Sequence, residues 1–349
     1  MIRSTTWAGM RRVYLGVRYN ALPRLGHVLM ARHSPHAIVT RWPDGPFTLG
    51  PRVCIYVHWD GAGDVRDHVL NQLRGLRDAG VSVVFVTNTG RLLPSAMAAL
   101  QALVPAILVR GNVGYDFCAW REGLEQAALP RPETTMVVLA NDSVYGPLRP
   151  YAAMLDGVDF TLAECWGATE SWQHRYHLQS YFMAFSPAVV ASDTWRLFWA
   201  GVRPTWSKNW LIRLYEIGLT QSMLKAGFRC RALWPYAVMS QAIDPLLLRD
   251  DDDTGLNLSD PAVQVRRKHA SRIRAAAVRR QPLNPTSDLW RQLLAAGYPF
   301  LKRELLRDNP TFVPDIGDWR DVVAGMGVPV AITEPIERDL QRTLKDRSA

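Results

Sequence analysis

The sequence predicts an α/β protein: a parallel or mixed sheet with helices on both faces, followed by a mainly helical C-terminal part. Three observations carry that expectation. Between Arg52 and Ala163, short apolar runs rich in β-branched residues alternate with segments of helical periodicity, the pattern of a parallel sheet built from strand–helix–strand units. Several of those runs end on polar groups, as strands do where an open α/β sheet takes its ligands. The chain is also 48% hydrophobic and 10% aromatic over 349 residues, enough for a sizeable core in one large domain or two.

The elements follow in order. Residues 1–50 read as a basic arm, with Pro23, Pro35, Pro43, Pro46 and Pro51 breaking any long helix. Arg52 to Trp59 reads as a buried strand, ending at His58 and Asp60 and the loop DGAGD. Asp64 is placed to cap a helix whose apolar side is Val65, Val69, Leu73 and Leu76. Val81 to Thr87 is a second strand ending at Asn88. A helix from Pro94 to Leu103 leads to the third strand, Ala106 to Val109, with Arg110, Asn112 and Gly114 after it. A helix begins near Phe117, and Met136 to Ala140 is the fourth strand. Helical Tyr151 to Leu155 and a fifth strand, Val158 to Ala163, complete the alternation. The glycines after the first strand invite a dinucleotide-fold reading, but the third glycine position is Arg66, and that reading is set aside.

Beyond Ala163 an aromatic and polar stretch carries His174, His177 and Gln179. Aromatic faces with such neighbours can stack on and hydrogen-bond a sugar, although packing histidines are the commoner outcome. A helix would align His174 with His177, but no third metal ligand lies nearby. Leu211 to Gly227 is an amphipathic helix with Gly227 as its stop. Glu216 lies at the edge of its apolar face, aimed either into a cleft or at solvent, where the helix dipole favours an acid. The run from Arg249 to Gly255 has no Glu at the twelfth loop position, so it is a solvated turn and not a calcium loop. From Leu289 to Arg307 apolar and basic residues recur at helical spacing, cut by prolines into short helices.

The net charge is +9, and it is unevenly placed. No acidic residue precedes Asp44, whereas Arg3, Arg11, Arg12, Arg18, Arg24, Arg32 and Arg41 all do; a second basic run spans Arg266 to Arg280. Interleaved with aromatic and aliphatic residues, such segments suit an anionic membrane surface or remain a solvated basic arm. Nucleic acid is not expected, because no recognisable binding motif accompanies the charge. No apolar run reaches the ~18 residues of a membrane span, and the N-terminus lacks a secretory pattern. Four scattered cysteines indicate neither a zinc site nor a disulfide framework, so a cytoplasmic protein is expected.

The candidate site centres on Arg110 to Gly146. Arg110, Asn112, Gly114 and Asp116 follow the third strand, and Asn141, Asp142 and Ser143 follow the fourth. Two polar clusters one helix apart suggest a single crevice; two ordinary Asn/Asp-rich turns are the competing reading. Gly114 would let backbone approach a ligand, and Asp116 and Asp142 would accept hydroxyl donors or hold a metal.

Six stretches, in order, strengthen the first reading: IYVHWD, NVGYDFCAW, NDSVYGPL, HLQSYFMAFS, YEIGLTQSMLKAGF and NPTSDLWRQLL…FLKRELLRDNP. Together they resemble the signature blocks of the rhamnan synthesis protein F family, bacterial glycosyltransferases of surface polysaccharide and lipopolysaccharide assembly. The resemblance spans roughly residues 52–312. It implies a GT-A-like nucleotide-binding sheet, here residues 51–240, with a helical region at 241–349. It also implies transfer of a deoxyhexose, typically L-rhamnose from dTDP-L-rhamnose, to a growing glycan, and the basic segments would bring such an enzyme to a lipid-linked glycan at the cytoplasmic face of the inner membrane. An inverting single displacement follows if a β-linked donor gives an α product.

Family 2 glycosyltransferases place Asn-x-Gly after the third strand, matching Asn112 and Gly114. Their acidic strand end matches Asp142, and their acidic helix start matches Glu216. Two departures stand out. Asn141-Asp142-Ser143 replaces Asp-x-Asp, which leaves dependence on Mg²⁺ or Mn²⁺ open with Asp142 as its ligand. Ile217 occupies the usual catalytic Asp position. Glu216 is then the expected general base, since an acceptor hydroxyl needs one. His58, Asp60, Asn88, Arg110, Asn112, Gly114, Asp116, Asn141, Asp142 and Ser143 are expected on the donor side, with His177 and Gln179 on the acceptor side. The rival from another class is a non-catalytic protein that holds a nucleotide sugar or glycan within an assembly complex.

Overall fold

The computed structural model describes residues 37–205, 207–241, 243, 257 and 259–348. The basic residues from Arg3 to Arg32 and the acidic run from Arg249 to Gly255 lie outside them. Eleven strands are present among the described residues: β1 (Ile38–Trp42), β2 (Arg52–His58), β3 (Ser82–Thr87), β4 (Ala106–Arg110), β5 (Met136–Asn141), β6 (Val144–Tyr145), β7 (Cys165–Ser171), β8 (His177–Leu178), β9 (Phe182–Phe185), β10 (Cys230–Trp234) and β11 (Leu301–Lys302). Nine of them form one mixed sheet in the order β1-β4-β3-β2-β5-β9-β7-β10, with β8 added to β7. A separate ribbon pairs β11 with β6.

Strands β2 to β5 are mutually parallel. Strand β9 runs antiparallel to both β5 and β7, so β7 points the same way as the first four. The chain steps outward from β2 to β3 and β4, then returns to place β5 on the other side of β2. The carboxyl ends of β2 and β5 therefore flank a topological switch point, the place where open α/β sheets hold ligands.

Strand residues alternate between two cores, as a pleat with period two requires. Cys54, Tyr56, Phe85, Ile107 and Val138 pack with Val69, Leu73 and Leu76 of α1 (Asp67–Asp78), Leu100 of α2 (Pro94–Gln101) and the C-terminal residues Leu293, Trp319 and Ile336. Val53, Ile55, Val57, Val84 and Leu139 face the other way, toward Phe117, Trp120 and Leu124 of α3 (Tyr115–Ala127) and toward Trp195, Trp199, Tyr215 and Leu219. Both faces are covered, which is why these strands read as continuous apolar runs.

Several local expectations are corrected. Val158 to Ala163 is a loop, where the Asp159 carboxylate accepts from the main chain and hydroxyl of Thr161; the strand comes next, as β7. Asp64 does not cap α1, whose N-cap is Arg66, because the Asp60 carboxylate gathers the Ala62 and Asp64 amides into a loop first. His174 and His177 share no helix: His174 lies in a bend at φ +65 and His177 begins β8. Ile38–Trp42, inside the stretch read as an arm, pairs antiparallel with β4 at the sheet edge. The basic and apolar alternation after Leu289 is interrupted by β11, just past Gly297 (φ +85) and Pro299.

Candidate active site at the carboxyl edge of the sheet

Sequence-distant segments meet at the switch point. The loop after β5 is held by its own side chains: Asn141 Oδ1 accepts from the Ser143 amide at 3.1 Å and from the Ser143 hydroxyl at 2.5 Å. Asn141 Nδ2 donates to Asp116 Oδ2 at 2.8 Å, which ties this loop to the first turn of α3. The Asp142 amide donates to Val57 O at 3.2 Å, bringing the ends of β5 and β2 together.

The C-terminal part then closes over this loop. Pairing of β11 with β6 sets Lys302 opposite Val144, and the Arg303 amide donates to Ser143 O at 3.1 Å. Gly146 makes the approach possible: its φ is +139, and a Cβ there would lie 2.5 Å from Pro299 O. Arg303 Nη1 donates to Asp142 Oδ2 at 2.9 Å. The preceding residue, Lys302, extends to the other side, donating to Ser143 Oγ at 3.3 Å with its ammonium 5.1 Å from the Tyr181 ring centre.

Glu216 completes the constellation. It ends a π-helical segment, Ile212–Glu216, inside the helix expected over Leu211 to Gly227; such widened turns are frequent at functional sites. Its Oε1 accepts from the amide and hydroxyl of Ser180, both at 3.1 Å. Burial raises the Asp116 carboxyl to about 6, helped by the charge of Asp142 and opposed by the Asn141 hydrogen bond and Lys302. Burial lowers the Lys302 pKa, opposed chiefly by the charges of Glu216 and Glu304. Asp116 is thus within reach of the charges of Asp142, Lys302 and Glu216, and Lys302 within reach of those of Glu216 and Asp116.

Other predicted residues sit around this centre in supporting positions. His58 is buried, bonded through Nδ1 to Thr87 Oγ1 at 3.1 Å, and burial lowers its pKa. Asp60 organises its loop and accepts from Arg66 Nε at 3.2 Å. Arg110, 1% exposed, bonds Glu122 at 2.9 and 3.1 Å, Val113 O at 3.0 Å, and Asn88. Its donors and Asn88 Oδ1 therefore serve the protein's own frame. Asn112 is exposed beside Gly114. Gly114 has φ +77, and its Cβ would meet Cys118 Sγ at 2.3 Å and Pro204 Cα at 3.1 Å; packing and backbone geometry require this glycine, with no ligand needed to explain it. His177 Nδ1 bonds Arg175 O at 2.8 Å, and Gln179 Oε1 accepts from Thr169 Oγ1 at 2.7 Å.

Lys302 and Arg303 are the residues that sequence reasoning passes over. They stand in the last of the six quoted blocks, and two adjacent basic residues before an acidic one read as a solvated helix face. Among the described residues no group of three or more His, Cys, Asp or Glu is placed to hold a metal ion. Asp142 and Asp116 each have one oxygen engaged. That donor set does not fit a metal held by the protein alone, but it fits a Mg²⁺ or Mn²⁺ arriving on a diphosphate, which needs only one or two carboxylates.

The architecture is thus an open α/β fold with a cluster of charged side chains at its switch point, the place where such sheets bind ligands. Residues 83–245 match the rhamnan synthesis protein F family. Virulence protein VirA of Vibrio anguillarum is 32% identical over 211 residues, covering 59% of this chain and 64% of VirA. The y4gN protein of Sinorhizobium fredii is 28% identical over 167 residues, covering 47% of this chain and 43% of the relative. The chain therefore spans less than two thirds of the length of the curated relatives it matches. Two solved structures are similar at 13% identity. A putative nucleotide-diphospho-sugar transferase from Desulfovibrio desulfuricans G20 aligns over 66% of this chain and 99% of its own with a TM-score of 0.32. The mannosyltransferase PcManGT from Pyrobaculum calidifontis, in complex with GDP-Man and Mn²⁺, aligns over 95% and 91% with a TM-score of 0.30.

Proposed function

We propose that this protein is a glycosyltransferase that moves a sugar from a nucleotide diphosphate donor to a growing glycan. The finer reading is L-rhamnose from dTDP-L-rhamnose to a surface polysaccharide or lipopolysaccharide acceptor, by a single inverting displacement. One observation supports the reading: at the loop after β5, Asp142 pairs with Arg303, Ser143 bonds Lys302, and Asn141 bonds Asp116, and Glu216 is assigned to the same site. The family match supports the reaction class. The choice of rhamnose rests on the six quoted blocks.

The chemistry assigns each group a task. The acceptor hydroxyl gives its proton to Glu216, which Ser180 holds by one oxygen, and the acceptor oxygen forms the new bond to the anomeric carbon. The bond from that carbon to the diphosphate breaks, and its electron pair leaves with the phosphate oxygen. Lys302 stabilises this developing charge, since a fixed cation in a partly dry site acts most strongly where charge appears. Asp142, oriented by Arg303, and Asp116 face the donor sugar and diphosphate. A Mg²⁺ or Mn²⁺ ion carried by the donor would be held by Asp142 and Asp116 and would neutralise phosphate charge.

The working place in this reading is the cytoplasmic face of the inner membrane, with peripheral attachment through the basic arm and the helix Pro261–Val278. No described helix is long and apolar enough to cross a membrane. On Pro261–Val278 and just after it, Arg266, Arg267, Lys268, Arg279 and Arg280 are exposed. Incubation with a panel of nucleotide sugars, with and without glycan acceptors, tests the function. Hydrolysis or transfer of one donor supports the enzyme; saturable donor binding without turnover under any acceptor or metal supports the non-catalytic binding protein instead.

A further inference from the structure

We infer that Asp339, on the C-terminal helix Val330–Ser348, is a positioning residue of the donor half of the crevice. It lies beyond the family match at 83–245 and outside the six blocks. Its side chain is 1% exposed, and its two oxygens take three donors. Tyr145 Oη donates to Oδ2 at 2.6 Å, Arg66 Nη1 to Oδ1 at 2.6 Å, and Arg303 Nη2 to Oδ2 at 3.4 Å. Burial alone would push this carboxyl up, but His68, Arg303, the Tyr145 hydroxyl and Arg66 together hold it below the usual range.

What distinguishes this cluster from an ordinary staple is where the two arginines lead. Arg303 also holds Asp142, after β5, and Arg66 also holds Asp60, after β2. Asp142, Arg303, Asp339, Arg66 and Asp60 therefore form one line of alternating charge joining the two strand ends that flank the switch point. With Asp339 removed, the two guanidiniums lose the anion between them, and the unpaired charge is costly where it is buried. Arg303 and Arg66 then lose the shared anchor that sets where they stand, so Asp142 and Asp60 are no longer held in fixed positions relative to each other. His68 Nδ1 is 3.9 Å from Asp339, too far for a hydrogen bond, so it does not supply the bond that either arginine makes.

This inference rests on the donor site being the crevice between β2 and β5, so the test reads that site directly. Full-length wild type, Asp339→Asn and Tyr145→Phe are titrated calorimetrically with dTDP, UDP and GDP, and their melting temperatures, donor KM and kcat are compared. At least one nucleoside diphosphate should bind wild type. Asp339→Asn should weaken that binding and raise the donor KM about ten-fold or more, since small misplacements at a reacting site can cost up to ~10²-fold. Tyr145→Phe, which removes a single hydrogen bond, should shift both in the same direction by less while melting close to wild type. A purely structural Asp339 would lower the melting temperature and the active fraction but leave Kd and KM of the folded protein unchanged, which overturns the inference. If Asp339→Asn fails to fold, Tyr145→Phe decides: an unchanged KM and Kd overturn it. Wild type that binds none of the three diphosphates removes the donor site itself, and the proposed function with it.

Discussion

Arg303 donates from one guanidinium nitrogen to both the carboxylate and the main-chain carbonyl of Asp142, each at 2.9 Å. The pairing fixes which way the Asp142 carboxylate faces and neutralises part of its charge. Because Lys302 precedes Arg303 at the end of a short strand, the two cations reach opposite sides of the Asp142–Ser143 loop. One orients an acid, and the other bonds the Ser143 hydroxyl and lies over the Tyr181 ring.

In the proposed mechanism Lys302 acts on the diphosphate. Lys302→Met is expected to weaken product inhibition by the nucleoside diphosphate and to lower kcat by about 10²–10³, the usual cost of losing one group that stabilises developing negative charge. Lys302→Arg should recover part of both. Steady-state kinetics with added nucleoside diphosphate check this; an unchanged inhibition constant in Lys302→Met would exclude the role.

Glu216 gives an asymmetric signature. Glu216→Gln keeps an oxygen for the Ser180 hydrogen bonds, so donor affinity should stay within a few-fold of wild type. Transfer should fall by about 10²–10⁴, the range for loss of a general base. A variant retaining more than roughly a tenth of wild-type turnover would rule Glu216 out as the essential base, and Asp116 would be the next carboxylate to test.

Asp116 sets a pH dependence. Its folded pKa is about 6 against an ordinary 3.8, so between those values the folded state binds the proton more tightly than the unfolded one. Protonation of Asp116 thus favours folding at low pH, and that contribution is lost as pH rises through about 6. Thermal melts across this range should show wild type losing stability relative to Asp116→Asn as pH rises. Parallel melting curves would refute the raised pKa.

Gly114 should tolerate no side chain. At φ +77, and with Cys118 Sγ only 2.3 Å from where a Cβ would stand, Gly114→Ala combines backbone strain with overlap. A loss of about 1–3 kcal/mol is expected in denaturant melts. Nucleotide binding by the folded fraction should persist, because the glycine is explained by packing alone.

Membrane attachment through the basic segments should be electrostatic. Vesicles containing anionic lipid should bring down the protein, and added salt should release it, since surface charges are screened within ~8–10 Å at ordinary ionic strength. Replacing the exposed Arg266, Arg267 and Lys268 by Gln should weaken the binding, whereas Arg272 is half-buried against Asp288 at 2.6 Å and belongs to the fold. Co-sedimentation indifferent to salt and to lipid charge would remove the electrostatic argument.

The sequence by itself determined the parallel sheet, because strands buried on both faces must be apolar at nearly every position, and β2 to β5 are. It also located the polar ends of β4 and β5 and the acidic Glu216, since turn chemistry and helical period are local signals. Only the tertiary structure decided which polar residues face the crevice. Arg110 and Asn88 carry the same residue types as a binding site, yet Glu122 on α3 claims Arg110. Lys302, Arg303 and Asp339 carried no local sign of a role, because each meets Asp142, Ser143 or Tyr145 across more than 150 residues of chain. Periodicity reports which face of an element is buried. It cannot report which distant side chain will be waiting there, and in this protein that meeting decides how the charges at the switch point are paired.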